Sequence, residues 1–78
     1  MAGVAQRVKK IIAKTLDVTE EEVTPEKSIR NDLATHDIEI QELIMALEDE
    51  FEITIPDEEA ERMTTPGKVV AYLESLED

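Results

Sequence analysis

Cysteine is absent from this 78-residue chain, and that gap excludes disulfides, thiolate metal sites and a cysteine nucleophile together. Histidine is nearly absent. His36 is the only imidazole, and one His with flanking acids falls short of a zinc set, so it reads as a solvated loop residue. Long apolar runs are missing too, which leaves neither a signal-peptide core nor a membrane-spanning segment. A cytoplasmic protein is the expectation, or an organelle matrix one if a transit peptide has been removed. A chain of this length makes one domain, residues 1–78, that buries about 60% of its unfolded surface and has no room for a deep enzyme pocket. No nucleophile can be paired with a base, so no catalytic residue is expected.

Positive charge is scarce in one half only. Residues 1–30 hold six basic side chains and five acidic ones, whereas residues 31–78 hold fifteen acidic side chains against Arg62 and Lys68. From Asp37 to Glu61 there are eleven carboxylates and no Lys or Arg. That concentration repels nucleic acid and anionic lipid, and attracts proteins that present a Lys/Arg patch. The plainer alternative is a solvated acidic face that confers solubility. The runs Glu48-Asp49-Glu50 and Asp57-Glu58-Glu59 lack the glycine and alternating spacing of an EF-hand loop, so no metal site is expected beyond weak, diffuse cation binding.

What is present in quantity is aliphatic periodicity. Val4, Val8, Ile11, Ile12 and Leu16 recur at helical spacing, which predicts an amphipathic helix from Ala2 to about Leu16. A connection of roughly twenty residues follows, with Val18, Val23, Ile29 and Leu33 as pegs into the core and a short helical turn expected to start at Thr24. A second long helix is predicted from His36 or Asp37 to about Phe51, burying Ile40, Leu43, Ile44, Leu47 and Phe51. Asp57 is a candidate N-cap for a short helix over Glu58 to Met63. Thr65-Pro66 supplies a cap and a first-turn proline for the last helix, which is expected to bury Val69, Val70, Leu73 and Leu76. The fold class is all-α, with three longer helices and one short one.

Met45 to Arg62, MALEDEFEITIPDEEAER, together with Asn31-Asp32-Leu33 upstream, resembles the acyl carrier proteins. The similarity runs ungapped from Arg7-Val8-Lys9-Lys10-Ile11-Ile12 to Val70 and Leu73. It implies a four-helix carrier-protein bundle with a long first loop. It also implies partners among the enzymes of fatty-acid, lipid or polyketide synthesis, met by a monomer through Ile38, Gln41, Glu42, Met45 and Glu48 of the second helix and Glu58 and Glu61 of the third. The family's cofactor is phosphopantetheine, carried on a serine in an Asp-Ser-Leu motif. Here the corresponding residues are His36-Asp37-Ile38. Asp37 stands at the serine position, and shifting the alignment by one residue places Ile38 there, so neither reading offers a hydroxyl. Thr35 is the nearest alcohol, and Ser28 and Ser75 lie far from the motif.

Asp37 is expected to cap its helix and to remain unmodified, with no cofactor held. Ala34, Thr35 and His36 also depart from the small and acidic residues that the family has before its serine, a pattern that suggests natural loss followed by drift of the loop. The leading expectation is therefore a docking protein without an arm. Two alternatives stay open: a genuine acyl carrier protein whose serine was exchanged for Asp37, and an acidic interaction module unrelated to lipid synthesis.

Overall fold

The computed structural model describes residues 3–34 and 36–76. Among them are four α-helices, α1 (Val4–Leu16), α2 (Asp37–Phe51), α3 (Asp57–Arg62) and α4 (Pro66–Ser75), with no strand. None is long and apolar enough to cross a membrane. The expected start of the first helix at Ala2 lies outside the described residues.

α1 forms because Val8, Ile12 and Leu16 stack at four-residue intervals and are buried. It stops at Asp17, which takes the left-handed conformation at φ 57°. α2 contributes Leu43 and Leu47, and α4 contributes Val69 and Leu73. Ile40, Ile44 and Phe51, expected in the buried stripe of α2, are half-buried at its edges. Arg7 staples α1 to the end of α2. Its guanidinium lies 4.3 Å from the centre of the Phe51 ring and donates to the Glu50 carboxylate at 2.9 Å and the Glu50 carbonyl at 3.2 Å.

The long first loop is pinned by capped turns. Thr19 Oγ1 accepts from the Glu22 N–H at 3.3 Å and begins a 3₁₀ turn over Glu20–Glu22. Ser28 Oγ accepts from the Asn31 N–H while Asp32 accepts from the Ser28 N–H, which fixes a π-helical turn over Ile29–Leu33. This reciprocal cap explains why the helical turn expected at Thr24 forms elsewhere: Thr24 starts only a simple turn, its carbonyl accepting from the Lys27 N–H at 3.2 Å. Val23, Ile29 and Leu33 enter the core as expected, and Val18 is half-buried. The Ile29 N–H bonds the Thr64 carbonyl at 2.9 Å, tying this loop to the α3–α4 link. Gly67 donates to the Pro25 carbonyl at 3.1 Å, and a Cβ at Gly67 would stand 3.0 Å from that oxygen, a tight contact, so this approach of α4 to the loop favours glycine.

Two expectations at helix ends are corrected. Asp57 is the first residue of α3, and Pro56 is its N-cap, because the Glu59 and Ala60 N–H groups already bond the Pro56 carbonyl. The carboxylates of Asp57, Glu58 and Glu59 then occupy the positive end of the helix dipole. Leu76 is 47% exposed, because α4 ends at Ser75 and Leu76 becomes its C-cap. Thr65 and Pro66 do start α4 as read from the sequence, with Thr65 Oγ1 accepting from the Lys68 N–H at 3.3 Å.

Candidate functional site

α2 begins one residue earlier than a capping role for Asp37 requires. His36 is the N-cap: its carbonyl accepts from the Glu39 N–H at 3.0 Å, and its own N–H donates to Glu39 Oε1 at 3.3 Å. Asp37 is therefore the first helical residue, which corrects the N-cap expectation. Its side chain is 86% exposed and turns to Arg30, whose Nη1 donates to Asp37 Oδ1 at 2.8 Å. Arg30 reaches it because the π turn buries Ile29 and Leu33 and leaves the three residues between them exposed, Arg30 first among them. The pair is open to solvent and contributes under ~1 kcal/mol, so it sets position more than stability.

His36, Asp37 and Ile38 offer an imidazole, a carboxylate and an alkyl group, with no alcohol among them. Thr35 lies outside the described residues. Ser28 Oγ is engaged as the cap of the π turn, and Ser75 Oγ donates to the Tyr72 carbonyl at 2.6 Å at the far end of α4. Among the described residues no three His, Asp or Glu side chains converge in a geometry that would hold a metal ion.

Along α2, the expected docking residues Ile38, Gln41, Glu42 and Met45 share one exposed face, and Glu58 and Glu61 are exposed on α3. Ile38 is 64% exposed and Met45 is 61% exposed, more than any other large apolar side chain among the described residues. Glu48 is different. It is half-buried, and its Oε2 accepts from the Ile55 N–H at 2.7 Å, so this carboxylate holds the α2–α3 link as well as bordering the acidic face.

Between α2 and α3 runs an open groove of about 360 Å³, with Ile40, Ile44, Met45, Ile55 and Ala60 as its apolar walls. Of the residues singled out from the sequence it gathers Gln41, Met45, Glu48 and Glu61, while Ile38, Glu42 and Glu58 lie beyond its lining. Arg30 also lines it. Sequence reasoning missed Arg30, although the signal was present: it is the last cation before the eleven-carboxylate stretch.

The described residues of this face form an amphipathic surface, with Ile38 and Met45 exposed among carboxylates. A family model described as a phosphopantetheine attachment site matches residues 6–73. Among solved structures, the acyl carrier protein from Enterococcus faecalis, described for its high thermal stability, is similar at a TM-score of 0.77 and 40% identity, over 92% of this chain and 91% of that one. By that family match over most of its length and that structural similarity, the chain belongs to the phosphopantetheine-attachment family of acyl carrier proteins, whose members are carriers and not enzymes.

Proposed function

We propose that this single-domain, monomeric member of the family docks enzymes of fatty-acid, lipid or polyketide assembly without carrying an arm of its own. The observation that carries the reading is the start of α2, where an ion-paired carboxylate heads a face that keeps Ile38 and Met45 exposed among acidic side chains. The family's prosthetic group is phosphopantetheine, and holding it requires an oxygen that can become part of a phosphodiester. Asp37 does not fit that role. A carboxylate resembles the phosphodiester in charge but forms no such ester, and at best yields a labile acyl phosphate.

Docking needs no hydroxyl. Ile38 and Met45 supply apolar contacts, while Gln41, Glu42, Glu58 and Glu61 steer and orient a basic partner. Glu48 contributes charge at the edge of the groove while it holds the α2–α3 link. An anionic surface of this kind suits neither nucleic acid nor an anionic membrane. A protein with this face and no arm scaffolds or competes for the enzymes that its relatives serve.

The test is intact mass after incubation with a phosphopantetheinyl transferase and coenzyme A. No change is expected, and a mass increase equal to the arm, mapped to Thr35 or Ser28, overturns the reading. Family membership also supports a second reading, a working carrier with one residue exchanged. Asp37→Ser separates the two: slow loading, improved by adding His36→Asp, is expected of a loop that has drifted, since a displacement of about 1 Å costs roughly a hundredfold in rate. Loading of Asp37→Ser at the rate of an ordinary carrier favours the second reading.

A further inference from the structure

A second recess, sharing no lining residue with the α2–α3 groove, opens between α3 and α4 with a volume of about 380 Å³. Glu59, Arg62, Met63, Lys68, Ala71 and Tyr72 line it. Met63 is buried and Tyr72 half-buried, so the floor is largely apolar. Arg62 and Lys68 are the two basic residues of 31–78, and both border this one recess. Among the described residues neither enters an ion pair: the cations that do are Arg7 and Arg30, and Lys68 Nζ donates only to the Thr64 hydroxyl, at 3.3 Å. Glu59, on the same lining, makes no ion pair with Arg62. A cation in the last turn of α3 suits that helix's dipole, which accounts for Arg62 alone. It does not account for two unpaired cations meeting over an apolar floor in the most acidic half of the chain.

We propose that this recess is a non-covalent site for a small amphipathic anion, an alkyl carboxylate or alkyl phosphate, with its chain against Met63 and Tyr72 and its head between Arg62 and Lys68. The volume falls within the roughly 300–1,000 Å³ usual for small-molecule sites. An acidic protein segment fits less well, because the net charge of −12 repels a partner in proportion to the partner's own charge, and a small anion of one or two charges meets less of that repulsion than a run of carboxylates. The site is independent of whether the protein carries an arm or docks an enzyme through α2.

Tyr72 is the only tyrosine, and tryptophan is absent, so intrinsic fluorescence reports on this recess. Octanoate, octyl phosphate and the neutral control octanol are titrated at physiological ionic strength, with backbone amide shifts followed in parallel. Saturable changes in Tyr72 emission are expected with octanoate or octyl phosphate, roughly three- to tenfold tighter than with octanol, as two solvent-exposed charge pairs allow. A response to octanoate alone names the carboxylate source, and a response to octyl phosphate alone names the phosphate ester. Arg62→Gln combined with Lys68→Gln is expected to abolish the preference. Both side chains are exposed, and the single variants serve if the pair fails to fold. Equal affinity for octanol, silence of Tyr72 up to the solubility limit, or amide shifts confined to Ile40, Ile44 and Ile55 of the other groove overturns the proposal.

Discussion

α1 and α3 are held to the molecule by different kinds of force. α1 buries Val8, Ile12 and Leu16 and adds the stacked, hydrogen-bonded guanidinium of Arg7. α3 buries none of its own six residues and is retained by what flanks it: Ile55 and Met63 in the core, the Glu48 carboxylate on the Ile55 N–H, and the Ile29–Thr64 backbone bond. Apolar burial therefore concentrates stability in α1, α2 and α4, while a few polar ties govern the segment that carries much of the acidic face. Separating the two lets the exposed acidic face vary without threatening the fold.

The sharpest test sets the two faces of α2 against each other. Leu47 is wholly buried, so Leu47→Ala is expected to cost about 3 kcal/mol of unfolding free energy in chemical denaturation. Met45→Ala, two residues away on the exposed face, is expected to change it by less than ~0.5 kcal/mol. Comparable losses at the two positions would mean that Met45 belongs to the core and not to a free surface.

A smaller effect probes the polar ties around α3. Glu48→Ala removes the acceptor of the half-buried Ile55 N–H and is expected to cost about 1–2 kcal/mol. Amide exchange should rise across residues 53–63 well before it rises in α1. Glu48→Gln keeps an acceptor oxygen and is expected to retain most of the protection. Uniform acceleration over the whole chain would show instead that α3 opens only with global unfolding.

The link between the regions carries strain of its own. Glu52 ends α2 at φ 54°, and Asp17 ends α1 at φ 57°. Left-handed backbone suits glycine best and is tolerated by Asp more readily than by Glu. Glu52→Gly is expected to stabilise by about 0.5–1 kcal/mol, and Asp17→Gly by less. A rise in melting temperature at position 17 as large as that at position 52 would assign the gain to something other than the side chain's conformational preference.

The smallest effects are electrostatic. Arg30→Gln, which breaks the exposed pair with Asp37, is expected to change stability by less than ~0.5 kcal/mol. Added salt should raise the melting temperature, because it screens a carboxylate-rich surface that Arg7 and Arg30 neutralise only in part. A melting temperature indifferent to salt would show that the charges are already balanced within the fold.

Helix positions were legible from the chain because burial repeats: Val8, Ile12 and Leu16 specify α1, and Leu43 and Leu47 specify the inner face of α2 with no knowledge of what they touch. The ends were less legible. Pro56 displaced Asp57 and His36 displaced Asp37 as caps, since the residue whose carbonyl accepts the first helical bonds is settled by backbone direction and not by side-chain preference. Leu76 read as core because its spacing from Leu73 fits, but α4 stops before it can turn inward.

The candidate site divides along the same line. Sequence alone determined that residues 36–38 contain no hydroxyl and that the stretch from Asp37 to Glu61 is purely anionic, because composition and order need no geometry. Only the tertiary structure decided that Arg30, seven residues earlier, closes on Asp37, that Arg7 reaches Glu50 across forty-three residues, and that Glu48 spends its carboxylate on a backbone N–H. It also brought Arg62 and Lys68 to one recess on separate helices. Pairing at these separations depends on how the helices cross and where the loops return. Those directions follow from packing the whole aliphatic core at once, and no local run of residues contains them.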